Sequence, residues 1–238
     1  MSPTSQRGKT ARQSPKPRNL PHPVHQKGHE TRERILGEAL KAFGEASFRA
    51  VTTRQIAQAA SVSLPTLQYY FGHKEGLYRA CAETVVERYR SHTKAAGAKA
   101  RETLDEGASG ETARLQLKAL FTALGGFLVG SKEASRWAPF LARELRDPGP
   151  AFEILYSGLW RPGVQITARL IARILGIPET DPAARIQALL LISSLLAFQS
   201  GRTISLRTMR WTTVGPAELA MVLAGVEAEI DAIGRNRP

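Results

Sequence analysis

Only one cysteine, Cys81, occurs in 238 residues, so no intrachain disulfide can form and no all-cysteine zinc site can be built. The chain therefore suits a reducing, cytoplasmic setting. Long hydrophobic runs are also missing. The most apolar stretch, 186–198, is broken by Gln187, Ser193 and Ser194 and falls short of the roughly 18–20 apolar residues that cross a bilayer. It reads as a buried helix, with no membrane partner expected. No apolar segment follows the basic N terminus, which argues against a secretory leader. Strand alternation and Asn-Gly or Asp-Gly hairpin turns are absent as well. No phosphate loop, dinucleotide fingerprint or Gly-x-Ser-x-Gly elbow occurs. Among the five histidines, His22, His25, His29, His73 and His92, only His25 and His29 have a helical pair spacing, and they lack acidic support for a metal. No catalytic residue, metal site or cofactor is expected, and an enzyme is the remotest class.

Acidic residues are absent from positions 1–29, which hold Arg7, Lys9, Arg12, Lys16, Arg18 and Lys27. Half of the net charge of +12 sits there. A basic surplus points to a polyanionic partner, most often nucleic acid, with a membrane surface as the competing reading. Residues 1–28 also contain Pro3, Pro15, Pro17, Pro21 and Pro23 and almost no large apolar side chain. Such a stretch cannot offset its ordering entropy and is expected to be a disordered basic tail. It is either a passive tail or an arm that adds phosphate contacts.

Beyond that tail the chain reads as all-α. Residues 31–45 carry Ile35, Leu36, Ala39, Leu40 and Phe43 on one helical face. Short helices are expected within 53–71, and a longer one from 74 towards 100. Further helices are expected at 112–129, at 132–146, at 151–174 with an interruption at 161–163, at 181–202 and at 216–233. That makes about nine helices, divided into a helix-turn-helix unit (29–75) and a larger bundle (76–238).

The informative stretch is 51–71. Thr52 with Gln55 forms a capping-box pattern for a short helix ending near Ala60. Ile56 faces inward, and Ala57 is small where a second helix must cross. Ser61-Val62-Ser63 makes a tight turn, Ser63 caps the next helix, and Pro65 sits in its first turn. Leu67 and Phe71, four apart, seat that helix. This spacing is that of a helix-turn-helix, whose second helix offers its outward residues to a major groove. Thr66 and Gln68 can hydrogen-bond base edges, and Leu64 and Pro65 can touch thymine methyls. Thr52, Thr53, Arg54, Ser63, Tyr69, Tyr70, His73 and Lys74 are candidates for phosphate or neighbouring contacts.

Residues 31–77 resemble the N-terminal domain of the TetR family of transcriptional regulators. The similarity rests on Arg34-Ile35-Leu36, Ala39, Phe43, the run Thr-Thr-Arg-Gln-Ile-Ala at 52–57, Ala-Ser-Val-Ser at 60–63, Leu67, Tyr-Tyr-Phe at 69–71, Lys74-Glu75 and Leu77. Two positions depart from the family pattern. Ser61 stands where the turn usually holds glycine, and Gln68 stands where tyrosine is frequent. Three later stretches resemble the CecR-like subgroup: 143–148 with Ala151-Phe152, 196–199 with Arg202, and Arg210-Trp211 before Gly215-Pro216.

The resemblance implies a ligand-binding and dimerisation domain after the reader. Aromatics on the middle helices are its pocket candidates: Phe121, Phe127, Trp137, Phe140, Phe152, Tyr156 and Trp160, with Arg143 and Glu144 as orienting groups. The stretch 183–202 is apolar nearly all round and must be covered, either by its own chain or by a four-helix homodimer interface shared with 216–233. The function expected is a homodimeric, sequence-specific regulator of palindromic double-stranded DNA, a repressor released by a small-molecule effector. A ligand-independent regulator, an activator and a polyanion- or membrane-surface-binding helical protein are the alternatives.

Overall fold

The computed structural model describes residues 23–235, all helix, turn and loop. Most of the expected tail lies outside those residues. Its last part does not remain irregular, because α1 (Pro23–Glu45) already begins at Pro23. A proline suits a first helical turn, where its missing N–H costs nothing. α2 (Thr53–Ala59), α3 (Leu64–Phe71) and α4 (Lys74–Asp105) follow. α5 (Gly110–Leu128) and α6 (Lys132–Arg146) are each opened by a serine whose hydroxyl accepts backbone N–H groups, Ser109 and Ser131 respectively. The chain continues through α7 (Phe152–Leu155), a π-helical turn (Tyr156–Trp160), α8 (Arg161–Leu175), α9 (Pro182–Gln199), α10 (Arg202–Met209) and α11 (Pro216–Ala232).

The expected interruption at 161–163 is not a break. The backbone stays helical there and widens one turn earlier, where the Arg161 N–H reaches back to the Tyr156 carbonyl. Pro162 has no N–H to offer, and its ring would press on the carbonyl four residues before it; the wider turn absorbs both. Gly158 lets that turn lie against α4, since a Cβ there would stand 2.6 Å from a Val86 methyl. The helix α10 is an addition to the expected set. None of its residues is buried, so it leaves no apolar period to read.

Two apolar cores share α4. The first joins α1, α2, α3 and the start of α4 to α6 and α7, with Phe43, Leu67, Leu77, Tyr78, Trp137 and Phe140 among its members. The second joins the far half of α4 to α5, α8, α9 and α11, through residues such as Leu104, Leu117, Leu170, Leu195 and Ile230. The unit at 29–75 therefore has no separate core of its own. Tyr89 of α4 and Leu128 of α5 pack against both cores.

α9 is the one helix among the described residues long and apolar enough by composition to cross a membrane. One of its faces is spent inside the second core through Ala184, Ala188, Leu191 and Leu195. Its own chain does not cover the rest: Ile186, Leu189 and Leu190 are exposed.

Cys81 is fully buried in the first core. Burial pushes its thiol well above the ordinary range, with only the nearby Arg32 charge opposing, so the reactive thiolate is suppressed. Native protein should react with a thiol reagent on the order of 10³-fold more slowly than urea-unfolded protein. Equal rates would place Cys81 at the surface.

Candidate nucleic-acid interface and bundle cavity

The turn between α2 and α3 is fixed by backbone hydrogen bonds that follow from one unusual dihedral. Ser61 sits at φ 51°. With the chain left-handed there, the Ser61 N–H donates to the Gln58 carbonyl (3.0 Å) and the Val62 N–H to the Ala57 carbonyl (2.9 Å). This is the paired closure of a helix end that glycine usually provides. Arg34 of α1 completes it by donating Nε–H to the Ala60 carbonyl at 2.8 Å, a cation placed on a helix C-terminus. Val62 packs against the first core. Arg34 was legible only through its place in the family pattern, because its target is a backbone carbonyl 26 residues away.

The expected caps form. The Thr52 hydroxyl accepts the Gln55 N–H, and the Gln55 side-chain carbonyl accepts the Thr52 N–H at 2.9 Å. Ser63 Oγ accepts the Thr66 N–H at 3.2 Å and lies 2.8 Å from the Thr66 hydroxyl. Leu67 and Phe71 are buried, which turns the opposite face of α3 outward. Pro65, Gln68 and Tyr69 are exposed, and Leu64 and Thr66 are half-buried. Tyr69 is 84% exposed, its ring edge-on to Tyr70 at 5.3 Å. On α2, Arg54 is exposed and Thr53 half-buried.

Besides Thr52 and Ser63, two further candidates have duties inside the protein. His73 caps α4, its Nδ1 accepting the Gly76 N–H at 3.1 Å. Lys74 donates to the Arg49 carbonyl at 3.2 Å, with its ammonium 4.8 Å from the centre of the Phe48 ring. It pins the α1–α2 loop and does not simply point to solvent.

The bundle cavity lies elsewhere than the aromatic candidates indicated. It has a volume of about 70 Å³ and is walled chiefly by leucines of α5 and α6, Ile166 of α8 and Ile192 and Leu196 of α9. Tyr89, Thr167 and Gln199 also line it, and Trp160 is the one sequence candidate that does. Phe127 and Trp137 pack on each other at 5.7 Å. Phe140 packs on Tyr78 at 5.1 Å. All three are buried core, as is Phe121 in the second core. Phe152 and Tyr156 stack at 5.9 Å, with Tyr156 exposed.

Arg143 and Glu144 also stand away from the cavity. Arg143 donates to the Gly44 and Glu45 carbonyls, both at 3.3 Å, at the end of α1. Glu144 is buried; it accepts the Tyr78 hydroxyl of α4 and, at 3.1 Å, the Gly149 N–H. Burial and the Glu144 carboxylate together push the Tyr78 phenol far above its ordinary range, so it remains a donor. Arg88 of α4 adds ion pairs to Glu33 of α1 (3.0 Å) and Glu133 of α6 (3.6 Å). The sequence expects Arg143 and Glu144 to orient a ligand; here they tie reader and bundle together and line a separate cavity beside Tyr78 and residues 147–150. Adjacent residues on a helix point in different directions, and those two directions here lead to α1 and α4.

With this geometry established, comparison with known proteins gives the same assignment. Residues 35–81 match the bacterial regulatory proteins of the tetR family. Residues 113–235 match the C-terminal domain of the HTH-type transcriptional dual regulator CecR. The chain belongs to the TetR family. It is 31% identical over 213 residues to the dual regulator CecR of Shigella flexneri, covering 87% of this chain and 92% of that protein. It is also 44% identical over 63 residues to the regulatory protein RaaS of Mycobacterium tuberculosis, 26% of this chain and 29% of that one. The fold is shared with a TetR-like regulator from Rhodococcus sp. RHA1 (TM-score 0.57, 20% identity, 89% of this chain and 96% of that one). It is shared as well with the regulator FadR from Bacillus subtilis, solved with stearoyl-CoA (TM-score 0.56, 15% identity, 85% and 98%).

The left-handed Ser61 is a testable feature of this TetR reader. A non-glycine residue held there costs about 1–2 kcal/mol, part of which glycine would return through unfolded-state entropy. Ser61→Gly should raise stability by about 0.5–1 kcal/mol. Ser61→Val should lower it by more than about 1 kcal/mol. Urea unfolding measures both, and unchanged midpoints would mean that the turn is not left-handed.

Proposed function

We propose that this TetR-family regulator is a cytoplasmic homodimeric repressor that reads a palindromic operator with α3 and leaves it when a small molecule enters the bundle cavity. The observation that carries the proposal is the outward face of α3. Thr66, Gln68 and Tyr69 stand on a helix whose other side is locked by Leu67 and Phe71. Thr66 and Gln68 read base edges, and Leu64 and Pro65 meet thymine methyls. Arg54, the hydroxyls of Thr52, Thr53, Ser63, Tyr69 and Tyr70, and the free nitrogen of His73 approach phosphates. Lys74 keeps one donor on the Arg49 carbonyl and has two more for a phosphate. The basic chain ahead of Pro23 joins α1 less than two turns from Gly28, where a Cβ would stand 3.5 Å from the Tyr70 hydroxyl. It would therefore add phosphate contacts beside the reader.

Two readers are needed for a long operator, and dimerisation supplies them. Exposed Ile186, Leu189 and Leu190 on α9, with Met221 on α11, form the apolar surface that a second copy covers. Release requires a ligand that binds the off-operator form better; moving a 1:99 population to 99:1 takes about 5.5 kcal/mol of differential binding.

Sequences selected from random duplex DNA should bind far more tightly than unselected DNA in gel shifts. Thr66→Ala and Gln68→Ala should each cost about 1–3 kcal/mol on the selected sequence and little on random DNA. Equal affinity for both DNAs would favour a general polyanion binder. Leu190→Glu should shift the protein from dimer to monomer in sedimentation, and a dimer left intact would move the interface elsewhere.

A further inference from the structure

The cavity carries more chemical information than its apolar walls alone. It is lined without any charged side chain. Its polar groups include Gln199, Thr167 and Tyr89. Gln199, the last residue of α9, is 5% exposed. Its side-chain carbonyl accepts the Ser200 hydroxyl at 3.4 Å, while its amide nitrogen Nε2 has no partner in the protein. A buried amide donor left unpaired costs about 1–3 kcal/mol, so a pairing group that enters with a ligand regains that energy. The nearest cation along the chain, Arg202, does not line it and donates to the Val129 carbonyl at 3.4 Å. Burial also pushes the Tyr89 phenol up, against a weaker opposing effect of Thr93, so Tyr89 brings no charge near neutral pH. An anion or cation entering this cavity would lose its hydration without a counter-ion.

We infer that the bundle cavity takes an uncharged, lipophilic ligand carrying a hydrogen-bond acceptor, such as a ketone, ester or amide carbonyl, and that Gln199 Nε2 is the group that selects it. The inference rests on the ligand-responsive reading and names the class of its effector. Tyr89 gives the ligand a direct hold on α4, because the same ring lines the cavity and packs on both cores. Leu196 and Gln199 give it a hold on α9. The stretch 196–199, which marks the subgroup resemblance, thus supplies two of the cavity's walls.

The test compares three six-carbon probes on the full chain without DNA: hexan-2-one, n-hexane and hexanoate, followed by ligand-observed NMR. Hexan-2-one should bind about tenfold more tightly than n-hexane, the worth of one good hydrogen bond, and hexanoate should bind most weakly. In Gln199→Met the advantage of the ketone over the alkane should shrink to about twofold or less. Thermal unfolding of that variant should show no loss of stability, since an unpaired donor has been removed. Ranking on the wild-type protein stands without the variant. Equal binding of ketone and alkane, or tightest binding of hexanoate, would overturn the assignment and leave the DNA reading untouched. Ketone binding that fails to change DNA affinity would support the ligand class and instead sink the release mechanism.

Discussion

One helix belongs to two cores. α4 runs without a break for 32 residues, about 48 Å at the helical rise. Its first turns are buried with the reader and its last turns with the bundle. A rod so shared is constrained at both ends: close-packed interiors do not deform continuously, so the packing of the second core and that of the reader bear on the same helix. The polar ties reinforce this. Tyr78 and Arg88 of α4 reach Glu144 and Glu133 of α6, while Arg88 and Arg143 reach α1. The reader is therefore held by three helices together.

Within that frame the reader itself is small and tightly specified. α2 and α3 have seven and eight residues, too short to be stable alone. Their ends are accordingly closed by local groups, the Thr52–Gln55 box and Ser63 on Thr66, and by one distant one, Arg34 on the Ala60 carbonyl. The strain at Ser61 is tolerated because the two bonds it makes available close α2 and place Val62 in the core. Two polar side chains next to α3 are likewise engaged within the protein: His73 caps α4 and Lys74 holds the Arg49 carbonyl.

How far the sequence could be read follows from the range of each interaction. Caps, the turn and the seated face of α3 are local, involving residues three to five apart, and were legible from spacing alone. The long helices were legible from their apolar period, and their ends were not: α1 starts earlier because Pro23 fits a first turn, and α10 has no buried face to leave a pattern. The cavity was legible least. Phe127, Trp137 and Phe140 are large enough to suggest a pocket, yet size is also what fills a core, and here it does. Arg143 and Glu144 looked like ligand contacts because they are polar among apolar neighbours; their partners are 98 or 99 and 66 residues distant in sequence. Gln199 carried a visible signal, a polar residue closing a very apolar stretch, but only the packing of five helices shows what it faces.

The placement of α9 connects these pieces. Toward its end, Ile192, Leu196 and Gln199 border the cavity, while in its first half Ile186, Leu189 and Leu190 stand bare. A helix that transmits no bending must pass a displacement at one end to the other. Leu196 and Gln199 of α9 and Tyr89 of α4 meet around one space, and the same α9 runs on from it to the exposed Ile186, Leu189 and Leu190. Its walls come from α4, α5, α6, α8 and α9, so whatever fills it is felt in the packing of all five helices, because close-packed interiors transmit strain.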